Sequence, residues 1–163
     1  VRGFLIYDEG MRWLVGNMRK DGALPKDIIF KTSAHLGHCN PCSFKLLESL
    51  GADSINPVRD LQIPMIAALR AAVDVPLDVH TDNPPGSGGF IRVYEAPEIV
   101  RVAAPLHCKT GNSVVAGHGQ LTSASDGRKM ADQASIVVEM LGTYYPELTQ
   151  TVKGSSDLHL PAF

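Results

Sequence analysis

The stretch Val75-Pro76-Leu77-Asp78-Val79-His80-Thr81-Asp82-Asn83 decides the fold. In an extended chain, side chains two apart point to the same side, so Asp78 and His80 share one face and Leu77 and Val79 the other. The same division recurs in Lys31 with Ser33, Ser54 with Asn56, and His107 with Lys109, set against apolar Ile28, Phe30, Ile55 and Leu106. Strands of an open doubly wound sheet are covered by helices on both faces and read as nearly continuous apolar runs. These strands do not. One polar and one apolar face fit a (β/α) barrel whose polar side points into the lumen near the catalytic rim.

Working outward, strand-like runs recur at Phe4–Tyr7, Ile28–Lys31, Ser54–Pro57, Leu77–His80 and Leu106–Lys109. Helical patterns lie between them. Gly10–Arg19 carries Met11, Leu14, Val15 and Met18 at helical spacing, and Pro41–Leu50 opens on a proline suited to a first turn and ends at Gly51. Pro64–Val73 and Ala96–Ala103 repeat the arrangement, and Asp126–Leu141 is the longest, with Ser125 or Asp126 available as its cap. Strand and helix in regular alternation predict parallel strands joined by right-handed crossovers. The expected class is therefore α/β, a TIM-type barrel represented by the C-terminal five of its eight units. Residues 1–150 form the barrel segment and 151–163 a C-terminal tail.

Composition narrows the partners. The chain has 163 residues, 44% of them hydrophobic and 20% charged, enough to bury one domain. Net charge is −2 with no Lys/Arg block, which argues against nucleic acid or an acidic lipid surface as partner. No apolar run approaches the roughly 20 residues that span a bilayer. Three cysteines and the absence of a signal-like start point to a reducing, cytoplasmic setting. The first residue is Val rather than Met, so a longer chain is one expectation. Association with missing N-terminal strands, or a homo-oligomer, follows from it.

Asp27-Ile28-Ile29-Phe30-Lys31-Thr32-Ser33, Leu50–Leu61, Val75–His80 and Gly88–Ile99 together resemble bacterial collagenase-like peptidases of peptidase family U32. The resemblance implies peptide-bond hydrolysis on a barrel-type catalytic domain. The family's usual signature, an acidic residue before a Gly-small-x-Cys stretch and then a second Gly-x-Cys, is not in this chain.

Three groups of residues are candidates for chemistry. His35, His38, Cys39 and Cys42 have the look of a zinc knuckle, but C-x-x-C normally needs a distant second pair, and Cys108 alone is a poor one. A redox pair and simple packing at a tight strand-to-helix turn are the other readings. Asp78, His80 and Asp82 alternate along a strand and its exit. They can bind a divalent metal, or Asp78 can orient His80 as a general base, or the set can be a structural lumen network. Lys31 and Lys109 end their strands on the polar side, where a desolvated amine can form a Schiff base.

Loops complete the expected rim. Asn83–Phe90 offers Gly88 and Gly89 for close backbone approach to a ligand, and Thr110–Thr122, containing Asn112 and His118, can act as a lid. Arg92 and Tyr94 can anchor a carboxylate. Walker, dinucleotide, G-x-S-x-G and H-E-x-x-H signatures are absent. The leading expectation is a peptidase-like hydrolase acting on a peptide or small molecule. In it His80 or His35 activates water, Asp78 orients the base, and Lys31 or Lys109 steadies negative charge, with Asn56, Asp82, Gly88, Gly89, Arg92 and Asn112 touching substrate. The alternatives are a lyase or aldolase using a Schiff-base lysine or a divalent metal, and a non-catalytic barrel fragment that binds a ligand or assembles with a partner.

Overall fold

The computed structural model describes residues 1–160; the end of the expected tail, 161–163, lies outside them. Five strands, β1 (Gly3–Ile6), β2 (Ile29–Thr32), β3 (Ser54–Ile55), β4 (Leu77–His80) and β5 (Leu106–Lys109), alternate with five helices. The helices are α1 (Glu9–Lys20), α2 (Pro41–Ser49), α3 (Ile63–Arg70), α4 (Ala96–Ala103) and α5 (Ala124–Tyr144). The sheet is parallel throughout and its order is β1-β2-β3-β4-β5. Steps of one hand, always to the next strand, put every helix on the same side, whereas a doubly wound sheet reverses its order. The other face is left as a lumen. The chain is an arc of a (β/α) barrel.

Local chemistry sets the helix starts. Asp8 caps α1 by accepting from the Met11 amide at 2.6 Å, and Asn40 caps α2 ahead of Pro41 by accepting from the Ser43 amide at 3.0 Å. The longest helix starts two residues earlier than its apolar stripe indicates. Ser123 and Asp126 exchange hydrogen bonds in a capping box, the Ser123 amide donating to Asp126 Oδ2 at 2.9 Å and the Asp126 amide to Ser123 Oγ at 3.2 Å.

The main core lies between the helices and the outer face of the sheet. Phe44 and Leu47 of α2, Ile66 and Leu69 of α3, and Ile99 and Ala103 of α4 close on Ile55, Leu77 and Val79. Alternation thus delivers its apolar half where expected. The first unit is held differently. Helix α1 turns Arg12 and Arg19 onto the Phe30 ring, each guanidinium 4.8 Å from its centroid. Arg19 also donates to Asp53 at 2.7 Å and to the Gly51 carbonyl at 2.6 Å, while Arg12 donates to the Leu50 carbonyl at 2.7 Å. Met11 and Leu14, expected to face the core, are exposed.

The segment after α5 turns back along β5. A cleft of about 790 Å³ runs between β5 and α5, and Thr149, Thr151 and Leu158 line it together with Cys108 and Val137. No helix among the described residues is long and apolar enough to cross a membrane.

Candidate active site

On the lumen face, register sets the neighbours: Lys31 lies beside Ser54, Asp78 beside His107, and His80 beside Lys109. Asp78 is the hub. One carboxylate oxygen takes the Lys31 ammonium at 2.9 Å, and the other accepts from Ser54 Oγ at 2.5 Å and from Asn56 Nδ2 at 3.4 Å. Asn56 passes the network on, since its Oδ1 accepts from Lys109 Nζ at 3.0 Å. This is how a buried carboxylate is tolerated: each oxygen has a donor and its charge has a cation.

Lys109 has no carboxylate bridged to it among the described residues. Burial pushes its amine below the ordinary lysine value, and the charges of Lys31 and Arg59 push the same way while Asp78 opposes. Its neighbour His80 is lowered to about 4, first by burial, then by Lys109 and Arg59, with Asp82 opposing and His118 adding to the fall. His107 is likewise lowered, chiefly by burial and then by Lys31. Near neutral pH the imidazole of His80 is uncharged.

Three loops close over the strand ends. His35 sits in the 3₁₀ turn after β2, Arg59 in the loop after β3, and His118 in the loop between β5 and α5. Arg59 Nη2 lies 3.1 Å from His35 Nε2, and the rings of His35 and His118 meet edge to face at 5.7 Å. The segment expected to act as a lid therefore reaches across the mouth from β5 to β2. Its root is tied down: the Ser113 amide donates to Asp82 Oδ2 at 2.7 Å and Asn112 Nδ2 to Asp82 Oδ1 at 3.3 Å.

Those bonds correct the metal reading. Asp78 and His80 do share a face, but Asp78 is committed to Lys31 and Ser54, and Asp82 turns to the β5 loop, joined to Ile91 by an antiparallel bridge. Among the described residues no group of three or more His, Cys, Asp or Glu side chains converges to hold a metal ion. The donor set of Asp78, His80 and Asp82 does not fit one. Cys39 and Cys42 are exposed free thiols, and Cys108 is half-buried on the helix side of β5, where desolvation raises its thiol to about 11.

Other expected contacts are built into the scaffold instead. Arg92 is tied to Glu95 and to the Leu61 carbonyl, the latter at 2.7 Å, and leaves no fork for a substrate carboxylate. Gly88 and Gly89 have φ of 101° and 51°, and the space a Cβ would take at Gly89 is met by Pro85 at 3.1 Å. They serve the turn that folds the loop back onto Asn83. The expected Asp78–His80 dyad is not formed, because the hydrogen-bond partner of His80 is Asn112, at 3.5 Å. The sequence assigns Arg59 no role beyond its place in the Leu50–Leu61 run, and His118 none beyond the lid. The available signal was position: Pro57-Val58-Arg59 directly follows β3, on the rim where the other strand ends carry polar groups.

The fold defines the class, a parallel (β/α)-barrel arc with its polar groups at the C-terminal rim. Among solved structures, the chain is similar to the YdjI aldolase of Escherichia coli K12, with a TM-score of 0.50 and 16% identity over 89% of this chain and 60% of that one. It therefore spans less than two thirds of that aldolase. Looser superpositions, at TM-scores of 0.42 and 0.39, are to a proposed dihydrodipicolinate synthetase of Pseudomonas aeruginosa and to nitroalkane oxidase of Streptomyces ansochromogenes. These share 21% and 15% identity, cover 65% and 61% of this chain, and span 40% and 30% of the other proteins. No family model and no curated protein matches the chain. The resemblance to peptidase family U32 thus finds no support, and the solved structures similar to this chain include an aldolase and no peptidase among those named above. The peptidase-like hydrolase expected from that resemblance is set aside.

Proposed function

We propose that the chain carries the reacting rim of an aldolase-type carbon–carbon lyase that works through a Schiff base on Lys109. The observation that carries this reading is the state of that amine. It ends β5 on the lumen face, its hydrogen-bond acceptor is the neutral Asn56, and burial with Lys31 and Arg59 holds it below the ordinary lysine value. An amine so placed is more readily uncharged, as a nucleophile must be. Lys31 has the opposite surroundings, since its ammonium is paired with Asp78. The activity of one similar structure, the YdjI aldolase, supports the same class.

In the proposed reaction, uncharged Lys109 Nζ attacks the substrate carbonyl carbon, and the carbinolamine oxygen takes a proton from solvent and leaves as water to give an iminium. The iminium accepts the electron pair of the breaking bond between the α and β carbons and becomes an enamine. The β-hydroxyl gives its proton to water, and the second fragment leaves as a carbonyl compound. Protonation of the enamine carbon and hydrolysis of the iminium then release the first fragment and restore the amine. His80 is too weakly basic at about 4 to serve as the general base expected of it, and stands as an uncharged neighbour of Lys109, hydrogen-bonded to Asn112. Asp78 holds Lys31 and, through Asn56, aims Lys109.

Sodium borohydride reduction in the presence of ketones and aldehydes, followed by peptide mass mapping, tests this. The expected adduct lies on Lys109, is absent from a Lys109→Met variant and persists in Lys31→Met. Labelling unaltered by Lys109→Met overturns the reading.

A further inference from the structure

We propose that Arg59, His35 and His118 form an oxyanion subsite at the mouth, which takes the carboxylate or phosphate group of the carbonyl substrate that reacts at Lys109. The inference rests on the Schiff-base reading and names the substrate class. Three different loops bring these side chains together, with Arg59 3.1 Å from His35 and the rings of His35 and His118 5.7 Å apart. Arginine can only donate, so the His35 nitrogen facing it accepts, and that imidazole is uncharged in this contact. Arg59 Nε is buried with no hydrogen-bond partner, and among the described residues no carboxylate pairs with the guanidinium.

The surrounding charge is one-sided. Lys109 and Arg59 both depress His80 and His118, and the nearby carboxylates are spent elsewhere: Asp78 on Lys31 and Ser54, Asp82 on Ser113 and Asn112. A guanidinium with an unused donor, beside paired imidazoles, matches the planar or tetrahedral oxygens of a carboxylate or phosphate. A neutral carbonyl compound leaves that donor unused. A substrate bearing an oxyanion fills it and is drawn to the mouth by the same field.

Two measurements separate this inference from the one beneath it. In the first, inorganic phosphate is titrated into the protein while histidine ring signals are followed by NMR. Signals of His35 and His118 should move while that of His38 stays, and binding should weaken at least about tenfold in Arg59→Gln and at least about threefold in His118→Gln, a change at an exposed loop position. In the second, half-trapping concentrations under borohydride are compared for pyruvate, dihydroxyacetone phosphate and neutral dihydroxyacetone. An anionic carbonyl should trap at a concentration at least about tenfold lower than the neutral one, with the ratio falling to about one in Arg59→Gln. Preference for pyruvate marks a carboxylate site and preference for dihydroxyacetone phosphate a phosphate site. Unmoved histidine signals, equal trapping, or a preference that survives Arg59→Gln overturns the subsite. If no carbonyl is trapped, the Schiff-base reading has failed, and the phosphate titration alone decides the subsite.

Discussion

His80 and Lys109 occupy register-paired positions on β4 and β5, and each loses charge readily because burial and the charge of Arg59 act on both. For His80 this has a sign in stability. Its imidazole stays neutral in the fold down to about pH 4, whereas an unfolded histidine takes up a proton near 6.5. Between those values the unfolded chain binds the extra proton, so the contribution is fully present above 6.5 and is lost as pH falls toward 4, by about 3 kcal/mol at most. Urea unfolding at pH 7 and pH 4.5 should show the drop, and His80→Asn should shrink it. Asp78 acts in the other direction on Lys109, whose value it raises. Asp78→Asn should cost about 3 kcal/mol by stranding Lys31, and should move the pH profile of borohydride trapping to lower pH. A profile that moves upward would contradict the charge assignment at this site.

At the scale of single elements, close packing of α1 depends on one glycine. A Cβ at Gly16 would collide with the Leu50 carbonyl oxygen at the end of α2, the same oxygen that receives Arg12. Gly16→Ala should therefore destabilise the chain by about 2 kcal/mol, although alanine is the better helix former, and thermal unfolding would measure it. That helix also shows where the sequence stops being legible. Strands β2, β4 and β5 and their polar faces could be read because period-two alternation is local and each strand carries its own record of it. In α1 the apolar stripe of Met11, Leu14, Val15 and Met18 is just as regular, yet Met11 and Leu14 are exposed, and Val15 packs on Ile6, Ile28 and Phe30 beside a buried Arg12 and the close approach at Gly16. Stacking on Phe30 and pairing with Asp53 supply what an apolar contact would, and neither partner is near in sequence. The same holds at the site. Lys31, Asn56, Asp78, His80 and Lys109 were found from strand alternation, whereas Arg59 and the pairing of Asp82 with Ser113 depend on loops that carry no period.

For the whole molecule, the arc has two open sides, at β1 and at β5. Beside β1 lies an apolar surface of Phe4, Leu5, Tyr7 and Met11, with Leu5 51% and Tyr7 66% exposed. Unpaired strand groups beside exposed apolar side chains are a template for association. Sedimentation velocity of the 163-residue chain should show mass rising with concentration, and Leu5→Lys with Tyr7→Lys should shift it toward monomer. The arc also explains why the lumen amine can be both buried and reached: its walls are strands, its floor is the Asp78 network, and its mouth is bridged by His35 and His118. The proposed chemistry depends on that amine. NMR titration of ε-¹³C-lysine-labelled protein between about pH 6 and 11, with Lys109 assigned by the signal missing from Lys109→Arg, measures it directly. The predicted midpoint for Lys109 lies below the ordinary 10.5. A midpoint at or above 10.5 would contradict the proposal that this barrel rim holds a nucleophilic lysine.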